Sequence, residues 1–171
     1  IIAAGQGTRL SNRGDSKPLI PLLGLSFIER VVLTAKKAGL TDFYVVTGYS
    51  GENVRQHLER FRQSRHINIT YIANEKWEKE NGISVLKAKE LLNDNFILLM
   101  VDHIFDESIV VKLKNERIAD GEVMLAVDYN IKTNKFVNIN DVTKVLTENN
   151  RILDIGKNIT KFNAYDTGIF L

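Results

Sequence analysis

Ile1-Ile2-Ala3-Ala4-Gly5-Gln6-Gly7-Thr8-Arg9-Leu10, with Ser16-Lys17-Pro18-Leu19 close behind, is the stretch that decides the fold. Four apolar or small residues make a short strand that empties into Gly-x-Gly. Without side chains at those positions, backbone N–H groups can close on phosphate oxygens. Arg9 and Lys17 then supply positive charge for a polyphosphate. Two familiar phosphate loops do not fit. A dinucleotide fingerprint needs a small residue three places after the second glycine, where Leu10 stands. A Walker A loop ends in Gly-Lys-Ser/Thr, and none occurs here.

Outward from that loop, strand and helix patterns alternate. Ser26-Phe27-Ile28-Glu29 opens a helix with a capping box, in which hydroxyl and carboxylate satisfy orphan N–H groups reciprocally. Ile28, Val31, Val32 and Ala35 form its apolar face, and Gly39 stops it. Phe43–Thr47 reads as a buried strand. Val54, Leu58 and Phe61 mark a second amphipathic helix. Ile67–Ile72 predicts a strand and Ile83–Leu92 a helix. Phe96–Val101, the most apolar run, ends at Asp102. Asp106 caps a helix bearing Ile109, Val110 and Leu113, and Val123–Val127 is the next strand. Thr143–Leu146 and Arg151–Ile155 flank Glu148-Asn149-Asn150 as a hairpin. The fold expected is α/β: a Rossmann-like, mostly parallel mixed sheet with helices on both faces. In such sheets ligands bind beyond the carboxyl ends of the strands.

The 171 residues fit one domain, expected to be cut at both ends, since strands are predicted at Ile1 and at Phe170-Leu171. A net charge of +2 gives no overall field for nucleic acid. The basic segment Arg55–Arg65 reads as a solvated helix face. With no cysteine, disulfides and thiolate chemistry are excluded. No apolar run reaches the ~18 residues of a membrane span, so a cytoplasmic location is expected.

Two further segments follow strands. Asp102-His103 places a carboxylate where it can bind Mg²⁺, a hard cation that favours oxygen ligands. An ordinary loop cap is the plainer alternative. His103 can contact a phosphate or pack in the loop. Asn74–Ser84 is polar and opens a helix that Asn81 can cap, and a helix N-terminus favours anions. Thr47-Gly48-Tyr49 follows the second strand and can border a base; Trp77, the only tryptophan, can cover the site, but a structural role is the plainer reading.

Taken together, Ala3-Ala4-Gly5-Gln6-Gly7-Thr8-Arg9-Leu10 and Lys17-Pro18-Leu19 resemble the signature of the sugar-phosphate nucleotidyltransferases. The resemblance extends over the whole chain. It implies attack by a phosphate monoester on a nucleotide α-phosphorus, with Mg²⁺ as cofactor and pyrophosphate as leaving group. Carried onto this sequence, it implies that Ala3, Ala4, Gly5, Gly7, Thr8, Arg9 and Lys17 hold the nucleotide. Lys17, Arg9 and Asp102 would serve catalysis, with Asp102 also the metal ligand. No convincing second metal carboxylate occurs before Leu171. Asn74-Glu75-Lys76-Trp77 with Asn81-Gly82-Ile83-Ser84 is similar to the cytidylyltransferase branch, which implies nucleotide contacts at Asn81, Gly82 and Ser84.

Arg151–Lys157 and Asp166-Thr167-Gly168 match the family's acceptor side. The match implies that Lys157 neutralises the acceptor phosphate and Asp166 takes hydrogen bonds from ring hydroxyls. Leu99–Phe105 and Tyr165–Phe170 resemble most the CTP:inositol-1-phosphate cytidylyltransferases of archaea and hyperthermophiles. The expected reaction therefore joins CTP to inositol 1-phosphate. Other sugar-phosphate or phosphocholine transferases stay open, as does a non-catalytic nucleotide-binding domain. A glycosyltransferase fits less well, because Asp102-His103-Ile104 replaces the usual Asp-x-Asp. Expected partners are CTP and a phosphorylated small-molecule acceptor, and no nucleic acid. Fusion to a membrane-embedded synthase, tethering the domain at the inner membrane face, and a homodimer are left open.

Overall fold

The computed structural model describes residues 1–7 and 16–171. Three strands form the parallel half of the sheet: β1 (Ile2–Ala3), β4 (Asp42–Thr47) and β5 (Asn68–Ala73), in the order β1-β4-β5. Between β1 and β4 come a 3-10 turn at Lys17–Leu19, a small hairpin of β2 (Pro21–Leu22) and β3 (Leu25–Ser26), and α1 (Phe27–Lys37). The helices α2 (Gly51–Arg65), α3 (Asn81–Lys87) and α4 (Glu107–Lys114) follow β4, β5 and the short strand β6 (Leu98–Leu99).

Alternation along the strands distributes side chains to two apolar layers. Ala3, Phe43, Val45, Ile69 and Leu99 pack with Ile28, Val32, Leu58 and Val110 from α1, α2 and α4. Ile2, Val46 and Ile72 face the other way, onto Val85 and Ala88 at α3. Helices thus cover both faces, as the sequence pattern requires. The capping box forms as expected: the Ser26 hydroxyl accepts from the Glu29 N–H, and Glu29 accepts from the Ser26 N–H at 2.7 Å. On α2, Arg55 and Arg62 pair with Glu52 and Glu59 one turn away, which is the solvated face anticipated for the basic segment.

Beyond β1 the sheet changes character. Met100 joins Ile2 by a parallel bridge, with the Val101 N–H donating to the Ile2 carbonyl at 3.1 Å. From there the ladder is antiparallel: β6-β10-β8-β9, with β7 also on β10. These strands are β7 (Leu125–Asp128), β8 (Lys144–Glu148), β9 (Arg151–Gly156) and β10 (Ala164–Phe170). The hairpin expected around Asn149-Asn150 is β8–β9, and both asparagines take positive φ, at 49° and 60°.

Three expectations need correction. The Phe96–Val101 strand shrinks to Leu98–Leu99, which pairs with Ile169 and Phe170 where β10 ends, and Met100 adds only an isolated bridge to Ile2. The Ile83–Leu92 helix starts at Asn81 and ends at Lys87. Beyond it the chain tightens into turns in which Lys89 and Leu91 donate three residues back. Finally, Asn81 does not cap this helix. Glu80 occupies the cap position without a side-chain bond, and Asn81 is the first helical residue.

Candidate active site

Because β1, β4, β5 and β6 run parallel, their carboxyl ends open on one edge of the sheet. Gly5 and Gly7 leave β1 there, and Asp102 leaves β6. Gly7 has φ +70°, and a Cβ at this position would lie 2.5 Å from the Lys17 Cβ. The glycine therefore lets the loop lie flat on the lysine stem. Gly5 is exposed and meets nothing within 4 Å, so its backbone is open to a ligand. Lys17 then reaches across and forms an ion pair with the Asp102 carboxylate.

Asp102 has a second partner, His103 Nδ1 at 3.0 Å on its other oxygen. Burial opposes its charge, but the hydrogen bonds from His103 and Lys17 and the Lys17 charge outweigh that. They hold the carboxyl well below the usual carboxylate range. The His103 ring lies against Gly168, where a Cβ would come within 3.0 Å of Nε2. Gly168 has φ +71° and sits in a bulge of β10, where pairing with β7 shifts register between Asp166 and Phe170. The bulge is tied by the Gly168 N–H, which donates to Asp166 Oδ1 at 2.6 Å.

A cleft of about 660 Å³ opens over these residues. Asn81, Gly82, Asp102, His103, Lys157, Asp166 and Gly168 are among the residues that line it. Of the expected site residues, Asn81, Gly82, Asp102, Lys157 and Asp166 thus border one space, whereas Gly5, Gly7 and Lys17 do not line it. Lys157 is paired there with Asp141 at 2.8 Å. Ser84 is placed differently: it is buried and accepts a 2.9 Å hydrogen bond from the Asn74 side chain. Ala3 and Ala4 are buried, and the Ala4 carbonyl accepts from the Tyr49 N–H at 2.9 Å. Thr8 and Arg9 lie outside the described residues.

Two contributors were not foreseen. Asn74 is fully buried; besides Ser84 it holds the Lys76 N–H at 3.0 Å, joining the end of β5 to α3. Its place directly after a strand was the available signal. Lys144 is buried beside Lys157, and nothing in the local pattern sets it apart from a surface lysine. Trp77 rests on Gly48, its ring edge-on to Tyr49 at 5.3 Å.

A glycine loop, a lysine and an aspartate gathered at the carboxyl edge of a two-sided α/β sheet are the equipment of a nucleotidyltransferase. Residues 1–142 match the MobA-like NTP transferase domain, and the chain belongs to that family. Among curated relatives it is 33% identical over its whole length to a bifunctional IPC transferase and DIPP synthase of Rubrobacter xylanophilus, covering 37% of that protein. The Archaeoglobus fulgidus protein of the same name is 31% identical, with 32% covered. The chain thus spans about a third of these relatives. The inositol-1-phosphate CTP transferase from T. maritima is similar in structure, with TM-score 0.82 and 26% identity, over 99% of this chain and 67% of that one.

Proposed function

We propose that this domain transfers a cytidylyl group from CTP to inositol 1-phosphate and releases pyrophosphate. The observation that carries the reading is the single cleft holding Asn81, Gly82 and Asp102 with Lys157 and Asp166. The names of the relatives and of the T. maritima structure support the substrates. Their bifunctional names also support a product handed on to a second, DIPP synthase activity.

An oxygen of the acceptor phosphate attacks the α-phosphorus, and the bond to the bridging oxygen of pyrophosphate breaks. Two anions must meet, so the first task is to screen repulsion and align the attack. Positioning alone supplies roughly 7–11 kcal/mol in favourable cases. Gly5 and Gly7 offer backbone N–H groups to the triphosphate. Lys17, now held by Asp102, turns to the α-phosphate and the departing charge. Lys157 takes the acceptor phosphate and Asp166 the ring hydroxyls. No general base is needed, because a phosphate monoester is largely ionised near pH 7, with its second pKa near ~6.

The donor set suits Mg²⁺. Each Asp102 oxygen has one partner, which leaves a lone pair on each. Mg²⁺ is commonly held by one or two carboxylates together with substrate phosphates and water. Among the described residues no cluster of three or more His, Asp or Glu side chains supplies a complete protein cage. When bound, the ion would neutralise phosphate charge and orient the triphosphate.

A phosphocholine acceptor is disfavoured by the aromatic residues nearby. Phe162 and Tyr165 stack on each other at 5.9 Å, and the Phe162 face already carries the Lys144 ammonium. Neither ring of this pair is thus free to cage a quaternary amine. The test pairs CTP or UTP with inositol 1-phosphate, glucose 1-phosphate or phosphocholine and follows pyrophosphate release. Preference for CTP with inositol 1-phosphate is the expected result. Preference for UTP with glucose 1-phosphate would overturn the substrates but keep the class, and silence in every pairing would favour a non-catalytic domain.

A further inference from the structure

β8 lies between β9 and β10, and its first residue, Lys144, has a backbone partner on each: Gly156 and Tyr165. The residues next after those partners are Lys157 and Asp166, the two at the acceptor side of the cleft. Lys144 is therefore the crossing point directly beneath both. Its side chain is 9% exposed. The ammonium donates to the backbone carbonyl of Lys157 and lies 5.9 Å from the Phe162 ring centre. Among the described residues no carboxylate pairs with it.

Withdrawing an ammonium from water is costly, and a carbonyl dipole with an aromatic face leaves its charge uncancelled. Lys157, Asp141 and Asp166 line the acceptor end of the cleft, and the Lys144 hydrogen bond pins Lys157 where β9 ends. The Lys157 ammonium is thereby placed to leave its exposed pair with Asp141 for a ligand.

We infer that Lys144 is a positioning residue for a phosphorylated acceptor: its hydrogen bond fixes the Lys157 backbone at the cleft. This rests on the acceptor reading of Lys157 and Asp166. Lys144→Met keeps the aliphatic stem and removes the charge, and Lys144→Arg restores the charge. In the intact protein, Lys144→Met should raise the KM for inositol 1-phosphate by roughly tenfold or more, the scale of one charge-assisted contact. The KM for CTP should move far less, and Lys144→Arg should recover most of the loss.

Circular dichroism and thermal melting establish that the variants fold. Lys157→Ala serves as the comparison that separates the two ideas. An unchanged acceptor KM in a folded Lys144→Met, with a raised one in Lys157→Ala, overturns the inference while the acceptor reading stands. An unchanged acceptor KM in both overturns the acceptor reading and this inference with it. An equal rise in both substrate KM values, with a lower melting temperature and no rescue by Arg, reduces Lys144 to a structural residue.

Discussion

Lys17 and Asp102, 85 positions apart in the chain, meet as an ion pair beside the cleft that Asp102 lines, with Gly7 packed on the lysine stem and His103 on the far carboxylate oxygen. The pair brings the glycine loop and the end of β6 to one point. On the proposed reading, its two members have opposite duties, the lysine toward phosphate oxygens and the carboxylate toward Mg²⁺. Substrate binding would have to redistribute this pair, and the predictions that follow act on its two members and their supports.

Asp102→Asn should leave the fold intact, since the side chains are nearly isosteric, yet slow turnover by at least ~100-fold. The magnitude reflects the several kcal/mol typical of Lewis-acid charge stabilisation. Pyrophosphate release at saturating CTP, inositol 1-phosphate and Mg²⁺ is the measurement. A rate near that of the parent would make Asp102 a structural residue.

Lys17→Ala separates binding from chemistry. A charge aimed at the transferring α-phosphate acts more strongly in the transition state than in the ground state. The maximal rate should therefore fall more than the affinity for CTP. If the KM for CTP rose while kcat held steady, Lys17 would be an anchor only.

Acid should weaken the parent through Asp102. Its folded carboxyl titrates below the unfolded value of about 3.9. The stabilisation is therefore complete above that value and is lost as pH falls toward the lower folded one. Urea midpoints measured between neutral pH and about pH 3 should fall more steeply for the parent than for Asp102→Asn. Parallel curves would show that the carboxylate carries no stabilising charge in the fold.

The parallel half of the fold was legible because its signals are local. The Ser26–Glu29 box, the apolar face of α1 and the FYVVT strand each declare themselves within a few residues. The same holds for the glycine loop and Asp102, which follow strands, and for Lys17 in its Ser16-Lys17-Pro18-Leu19 run. What local pattern could not reach was pairing at a distance. Lys144 looks like a surface lysine until β9 and β10 close on both sides of it. Asn74 belongs to a polar segment until Ser84 folds back onto it. Helix α3 was overextended because Val85, Ala88 and Leu92 keep helical spacing after the hydrogen bonds have tightened to three-residue turns. The bulge at Gly168 depends on two partners, β6 and β7, sharing one strand.

That bulge supplies the last prediction, Gly168→Ala. At φ +71° a non-glycine residue is strained by about 1–2 kcal/mol. The added methyl would also press on the His103 ring, with nearest approaches of 3.0 Å to Nε2, 3.1 Å to Cε1 and 3.2 Å to Cδ2. The backbone can give little, because the Gly168 N–H is held by Asp166 and the Thr167 hydroxyl donates to the Ala126 carbonyl at 2.6 Å. The ring is the softer partner and half exposed, so it should swing away and loosen its 3.0 Å hydrogen bond to Asp102. Two readouts should therefore move together: unfolding free energy drops by about 1–2 kcal/mol, and the His103 imidazole NMR resonances shift as its hydrogen bond to Asp102 loosens. Removing the ring restores room, so His103→Ala combined with Gly168→Ala should lose less than the sum of the two single changes. Strict additivity would show that the methyl meets His103 without pushing it, and the coupling from β10 through His103 to Asp102 would be lost.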